Sequence, residues 1–294
     1  MLFSSSECIT WLAVTLTVGV AIVTVNLLSV ILFIKNRSLR TRPMYLVISL
    51  TIVDMFVGGF SHFDLFRLFV NICDIVKMNL SQELDAIIHF LFIWFPLTSL
   101  TNIAAISLDR MHATIRPFGH RLIKKWIYGV TIAAVWVLAA MMTAARSIPL
   151  LRYRKWHKYA FYVWSSYCCL CLFVICVSYS SIAVKFLCGA HPQHHGAANR
   201  QRKLTVTLFI MTIISLLMWV PYTVFVFLSS IFFQSLSFQE YVRLTFSLNI
   251  LYLMNSLVNP IVYTIRIPKF RKAFLLLFKC QRRQNAQDIP LHAL

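Results

Sequence analysis

Seven long apolar stretches fill most of this 294-residue chain and leave only short segments between them. The hydrocarbon core of a bilayer is about 30 Å thick, so a helix needs about 20 residues to cross it, and each stretch is long enough. The residues are 59% hydrophobic and only 13% charged, which excludes an ordinary soluble domain. The sequence predicts an all-α membrane protein with one seven-transmembrane domain, its spans lying at about residues 11–34, 43–67, 86–108, 126–145, 159–187, 204–233 and 242–265.

The basic residues predict which way the chain crosses the membrane. Of its 28 lysines and arginines, 20 lie in segments 35–42, 109–125, 185–203 and 264–294, which share one side. Cytoplasmic segments carry the excess of lysine and arginine, so the N-terminus is predicted outside the plasma membrane and the tail in the cytosol. The basic residues behind the net charge of +19 are therefore accounted for by the membrane topology. No folded soluble segment remains to present a nucleic-acid surface, so nucleic acid is not an expected partner.

One outer loop departs from this charge distribution. Segment 146–158 holds five basic residues, which are Arg146, Arg152, Arg154, Lys155 and Lys158. Two interpretations stay open at this point. Either the loop was translocated regardless of its charge, or it attracts an anionic ligand or lipid head groups.

Three sequence features predict covalent modification. Cys8 and Cys73 lie near the oxidising outer face, where they either form a disulfide or remain thiols. Asn79 begins an Asn-Leu-Ser sequon in an outer loop and is predicted to carry a glycan. Cys280 follows an amphipathic basic segment, 269–279, and is predicted to be palmitoylated, with a free thiol as the alternative.

Several polar residues within the apolar spans lie at a similar depth. Counted from the cytoplasmic helix ends at about 1.5 Å per residue, they lie about 9–18 Å deep, and they are Asn26, Asp54, Ser99, Asn255 and Asn259. An uncompensated carboxylate at that depth is costly, so Asp54 must face the bundle interior. It is then either protonated in a hydrogen-bonded network or ionised beside a small cation. Oxygen ligands from Ser99, Asn255 and Ser256 around the carboxylate suit sodium.

Short motifs follow one another in order along the spans. They are Asn26, Leu46 to Leu50 followed by Asp54, Asp109-Arg110-Met111, Pro117, Trp136, Tyr179, Trp219-Val220-Pro221, Asn259-Pro260-Ile261-Val262-Tyr263 and Phe270-Arg271. Together they resemble the rhodopsin-like (class A) G-protein-coupled receptors over nearly the whole chain. The resemblance implies an extracellular ligand, a heterotrimeric G protein, surrounding lipid, no enzyme activity and no cofactor beyond an allosteric sodium ion. It also implies a short amphipathic eighth helix that begins at Phe270.

The same resemblance implies roles for individual residues. Arg110, beside Asp109, would meet the G protein when the sixth helix swings outward, and Tyr179 and Tyr263 would hold that open form. Trp219 would couple the ligand pocket to the kink at Pro221, as Pro260 kinks the seventh helix. The implied sodium pocket consists of Asp54, Ser99, Asn255, Ser256 and Asn259. The predicted ligand pocket consists of Asp64, Asp85, His89, Phe92, Trp164, Tyr167, Trp219, Tyr222, Asn249 and Tyr252.

The chain also departs from the family pattern. Asp85 replaces the cysteine at the top of the third helix, and Cys171 replaces the fifth-helix proline. In lacking both features the chain resembles the melanocortin-like group, whose acidic ligand residues stand where Asp64 and Asp85 stand here. Phe92 stands where amine receptors place an aspartate, which argues against an amine ligand. Gln201 replaces the sixth-helix acid that would restrain Arg110.

Three other functions can be compared with the sequence, and two of them fit it less well. A transporter is disfavoured because the spans show no internal repeat and their charged residues form one layer rather than a path. A membrane hydrolase is disfavoured because the histidines within the spans are isolated and do not form a metal-ligand set. A binding receptor that no longer signals fits the missing switch residues and stays open.

Overall fold

The computed structural model describes residues 3–78, 80–152, 156–188, 196–228, 235–266 and 270–276. Seven long helices make up the fold, and no β-strand occurs within these ranges. In chain order they are α1 (Ser5–Lys35), α2 (Met44–Ile72), α3 (Gln82–Ile115), α4 (Lys125–Arg152), α5 (His157–Cys188), α6 (Gly196–Phe227) and α7 (Phe238–Ile265). Two short helices, Arg37–Leu39 and Pro117–Leu122, lie between α1 and α2 and between α3 and α4.

The lengths and composition of these helices fit a membrane-spanning bundle. Among the described residues, six of these helices are long and apolar enough to cross a bilayer, and the described part of α6 contains a shorter apolar helix, Ile213–Phe227. The predicted all-α, seven-helix fold class is confirmed. Several helices extend beyond the predicted spans because polar capping residues, and not the end of the apolar run, determine where they begin. Ser4 with Glu7 and Ser237 with Glu240 form capping boxes at the starts of α1 and α7.

Helix α2 contains a π-helical turn at Val57–Ser61, which shifts the rotation of the residues after it relative to a regular α-helix. The turn packs closely against α1 through two glycines. A Cβ atom on Gly58 would lie 2.8 Å from Cγ2 of Ile22, and one on Gly19 would lie 2.8 Å from Cβ of His62. Side chains larger than hydrogen therefore cannot fit at this crossing without moving the helices apart.

The outer ends of three helices are tied together. A disulfide joins Cys8 at the start of α1 to Cys73 just after α2, which resolves the alternative left open by the sequence. Glu7 of α1 forms an ion pair with Arg243 of α7, with the charged atoms 2.6 Å apart.

Neighbouring helices compensate for two prolines within the spans. Pro260 has no N–H to donate to the carbonyl of Ser256 one turn earlier, and Asn26 Nδ2 donates to that oxygen at 3.0 Å. In the same way, the carbonyl of Phe92, one turn before Pro96, accepts a longer hydrogen bond from Ser61 Oγ at 3.4 Å. Each bond links a kink in one helix to its neighbour.

Residues 270–276 are helical and agree with the start of the predicted eighth helix. Phe270 is fully buried, with its ring centroid 5.5 Å from that of Phe33 and 6.1 Å from that of Tyr263. This contact anchors the segment beneath α1 and α7. Asn79, Cys280 and the side chain of Gln201 fall outside the part of the chain that is described.

Candidate functional site

The mid-membrane cluster centres on Asp54, which is completely buried. Its Oδ1 accepts hydrogen bonds from Ser99 Oγ at 2.7 Å and Ser256 Oγ at 2.8 Å, and its Oδ2 accepts one from Asn259 Nδ2 at 2.7 Å. Three helices, α2, α3 and α7, therefore meet at a single carboxylate. Four of the five predicted sodium-site residues are in direct contact here.

The same region contains buried oxygens that lack donors. Within the described residues, Oδ1 of Asn26, Asn255 and Asn259 has no hydrogen-bond partner, and neither does Nδ2 of Asn255. Unpaired buried acceptors are costly, and a monovalent cation coordinated by oxygens would compensate them. A transition-metal site does not fit, since the described residues include no group of three His, Cys, Asp or Glu side chains able to hold one.

Near the C-terminal end of α3, Asp109 holds Arg110 through an ion pair. Asp109 Oδ1 is also within hydrogen-bond distance of His120 Nε2 at 2.9 Å and accepts a bond from Tyr128 Oη at 3.0 Å. Arg110 is only 1% exposed, and its Nε has no partner among the described residues. One carboxylate therefore restrains a buried arginine and is itself fixed by two groups from other helices.

The other predicted switch residues are buried along α5, α6 and α7. Tyr179 and Tyr263 are 4% and 0% exposed. Trp219 lies at the base of the outer half of α6, two residues before Pro221, with its ring centroid 4.9 Å from that of Tyr252. A large ring therefore lies beside the proline of α6, and the coupling role of Trp219 stays a prediction.

A cavity of about 120 Å³ opens among α3 to α7 in the outer half of the bundle. Six predicted ligand residues line it, which are His89, Phe92, Trp164, Trp219, Tyr222 and Tyr252. The other six lining residues are not predicted from the sequence, and they are Ile93, Pro96, Leu97, Arg146, Phe161 and Val226. The charge of Arg146 predicts a loop position, yet the residue lies inside α4.

Four predicted ligand residues do not line this cavity because their side chains are held elsewhere. The hydroxyl of Tyr167 lies 3.0 Å from Thr101 Oγ1, and Asn249 Nδ2 donates to the carbonyl oxygen of Thr245 at 2.7 Å. The remaining two, Asp64 and Asp85, both bind an arginine.

That arginine is Arg67, one turn beyond Asp64 on α2. Its Nη2 and Nε lie 2.6 and 3.1 Å from Asp64 Oδ1, and its Nη1 lies 2.8 Å from Asp85 Oδ1. Asp64 and Arg67 are buried, at 0% and 7% exposure. The two acids are thus partly neutralised within the protein instead of being directed into the cavity.

Comparison with known proteins agrees with this arrangement. The family model for the 7 transmembrane receptor (rhodopsin family) matches residues 25–263, which is more than half of the chain. The chain is 24% identical to the substance-K receptor of Canis lupus familiaris over 92% of its own length and 75% of that receptor's. It is 24% identical to the neuromedin-K receptor of Rattus norvegicus over 91% of its own length, spanning 63% of that receptor. It is 26% identical to the histamine H2 receptor of Canis lupus familiaris, over 98% and 85% of the two chains. The chain therefore belongs to the rhodopsin family of seven-transmembrane receptors.

Proposed function

We propose that this receptor binds an extracellular ligand in the outer cavity and activates a heterotrimeric G protein through outward movement of α6. Family membership makes it a G-protein-coupled receptor and a multi-pass plasma-membrane protein rather than an enzyme. The names of the relatives refer to different ligands, so they do not identify the ligand of this receptor. The assignment to the melanocortin-like group stays a prediction.

One observation supports the signalling step above the others. Arg110 is buried at the cytoplasmic end of the bundle with one N–H unpaired among the described residues and a carboxylate beside it. Burying an arginine without full pairing is costly, so such a residue is retained where a second conformation uses it. Outward movement of α6 would open a route from Arg110 to a G protein.

Nucleotide exchange on a purified G protein tests this proposal. The receptor in lipid nanodiscs should accelerate exchange without ligand, and Arg110→Ala should remove at least 90% of that acceleration, on the order of the tenfold loss expected for about 1.4 kcal/mol of coupling. Arg37→Ala, which removes an exposed arginine from the first inner loop, is the matched control and should retain it. A receptor that is folded yet never accelerates exchange would instead be a non-signalling binding receptor.

We also propose that Asp54 and its partners bind sodium. Asp54, Ser99, Ser256 and Asn259 are already in contact, and Asn255 adds an unpaired amide oxygen. A ligand present at ten times its dissociation constant stabilises the folded state by about 1.4 kcal/mol. Sodium should therefore raise the melting temperature by a few degrees compared with choline at equal ionic strength.

Two variants make this test specific. Asp54→Asn should abolish the difference between sodium and choline, because the amide cannot supply the charge. Asp74→Asn removes a carboxylate from an exposed outer turn and should leave the difference unchanged. Equal melting of the parent receptor in both salts would rule out the sodium site and favour a protonated hydrogen-bonded network.

Orientation and modification complete the proposal. The excess of basic residues on one side supports an orientation with the N-terminus outside and the tail in the cytosol. In that orientation Asn79 can receive a glycan and Cys280 can be palmitoylated beside the membrane. The disulfide between Cys8 and Cys73 lies on the same outer face and agrees with an oxidising environment there.

A further inference from the structure

The outer cavity contains a cation that lacks an internal partner. Arg146 of α4 lines the cavity, and its Nη1 is buried without a hydrogen-bond partner among the described residues. Its guanidinium carbon lies 5.4 Å from the centroid of the Phe161 ring, a cation–π distance. An aromatic face compensates part of the charge but accepts no strong hydrogen bond.

Among the described residues, no carboxylate pairs with Arg146. The chain has only nine acidic residues, and none of the ion pairs formed within the described ranges includes Arg146. The acids with partners are Glu7, Asp54, Asp64, Asp85, Asp109 and Glu240. Asp74 and Glu83 are exposed at the outer surface, and Asp288 belongs to the C-terminal segment beyond α7. The undescribed residues near the outer face, 153–155 and 229–234, contain no acid.

Two further donors line the same cavity. The indole Nε1 atoms of Trp164 and Trp219 are buried and have no partner among the described residues. Arginine and tryptophan side chains donate hydrogen bonds and cannot accept them. Three groups in one cavity thus carry donor atoms from which no described residue accepts, although His89, Tyr222 and Tyr252 also line the cavity.

The apolar lining and the volume of the cavity indicate the size and the apolar part of the ligand. Phe92, Phe161 and Val226 give the cavity an apolar lining. Its volume of about 120 Å³ is close to that of an engineered cavity of about 150 Å³ that binds benzene. The space therefore fits a compact group of a few heavy atoms with one apolar and one anionic part.

We propose that the ligand carries a carboxylate that pairs with Arg146, while its adjoining apolar part packs among the aromatic side chains of the cavity. The inference builds on the proposed function only in the choice of site. A cationic group is the less suitable occupant, since Asp64 and Asp85 are engaged by Arg67 and do not line the cavity. The five basic residues of segment 146–158, with no acid among them, would raise the local concentration of an anion.

Thermal melting of the purified receptor tests the proposal without a G protein. The compounds are small aliphatic and aromatic carboxylic acids, each compared with its primary amide, and short peptides with a free or an amidated C-terminus. At least one acid should raise the melting temperature while its amide does not. A response to peptides alone would identify a peptide carboxylate as the source, and a response to the small acids would identify a free organic acid.

Charge-matched variants locate the effect. Arg146→Gln should weaken binding of that acid by at least about 30-fold, the loss expected when one partner of a buried charge pair is removed. Lys77→Gln removes an exposed outer charge away from the cavity and should change binding less than about threefold. If no acid raises the melting temperature, or if Arg146→Gln binds the acid as well as the parent does, the inference is wrong. Acid binding without nucleotide exchange would instead refute the proposed signalling function alone.

The ligand-free receptor offers an independent measurement. Arg146 is half-buried with its Nη1 fully enclosed, and replacing an unpaired, partly buried cation by an apolar side chain of similar length removes part of a desolvation cost. Arg146→Met should therefore raise the melting temperature without ligand by about 2 °C or more, and it should abolish the response to the acid. A lower melting temperature in Arg146→Met would show that the fold already satisfies Arg146, and this would overturn the inference.

Discussion

Replacing Arg67 by methionine is expected to destabilise the receptor by about 3–5 kcal/mol, because it leaves the buried Asp64 carboxylate without its charge partner. Asp64 is fully buried, and its Oδ1 accepts hydrogen bonds from both Nε and Nη2 of Arg67. Its Oδ2 has no partner among the described residues. Removing one member of a buried pair costs more than the pair contributes, since an uncompensated charge remains. The expected result is a fall of roughly 10 °C in melting temperature.

The partner variants separate this effect from lost packing. Asp64→Asn combined with Arg67→Met should recover most of the loss, since neither charge is then left unpaired. Asp85→Asn should cost less than about 1 kcal/mol, because the Asp85 side chain is 53% exposed although it also binds Arg67. A double variant as unstable as Arg67→Met would mean that the methylenes of Arg67, and not its charge, stabilise the outer part of α2.

The fold and the mid-membrane cluster were predictable because both depend on costs that the sequence displays directly. A run of about 20 apolar residues has few alternatives to a membrane helix. A polar residue inside such a run must face the interior of the bundle and contact other polar groups. Residues at the same depth could therefore be grouped, and they are Asp54, Ser99, Ser256 and Asn259. The structure adds that these residues meet at a single carboxylate.

The ligand cavity was only partly predictable because helix ends and helix rotation cannot be read from apolarity. The predicted fourth span stops just before Arg146 because that residue is charged. The helix α4 nevertheless continues to Arg152, and Arg146 lines the cavity. The π-helical turn at Val57–Ser61 changes the rotation of the outer half of α2, so the faces of Asp64 and Arg67 could not be derived by counting. The disulfide between Cys8 and Cys73 stayed open because its formation depends on how α1 and α2 approach each other.

Replacing Asp109 by asparagine is expected to raise ligand-free nucleotide exchange about tenfold. Asp109 is the carboxylate that pairs with the buried Arg110, and the sequence offers only Gln201 where the family pattern has a second restraining acid on the sixth helix. A hydrogen bond to a charged group contributes about 1.5–3 kcal/mol, and losing about 1.4 kcal/mol shifts a two-state equilibrium tenfold. The amide keeps the size of the side chain but not its charge, so the inactive conformation should lose population.

Nucleotide exchange on a purified G protein in the absence of ligand measures this shift, with equal amounts of folded receptor in each sample. Tyr128→Phe is the control, because it removes one neutral donor at 3.0 Å from Asp109 and leaves the ion pair intact. It should raise exchange less than about threefold, in line with a neutral hydrogen bond of about 0.5–1.5 kcal/mol that is only partly lost. Adding Arg110→Ala to Asp109→Asn should return exchange to the level of the G protein alone. If Asp109→Asn leaves ligand-free exchange unchanged, the resting conformation is held by contacts other than this ion pair.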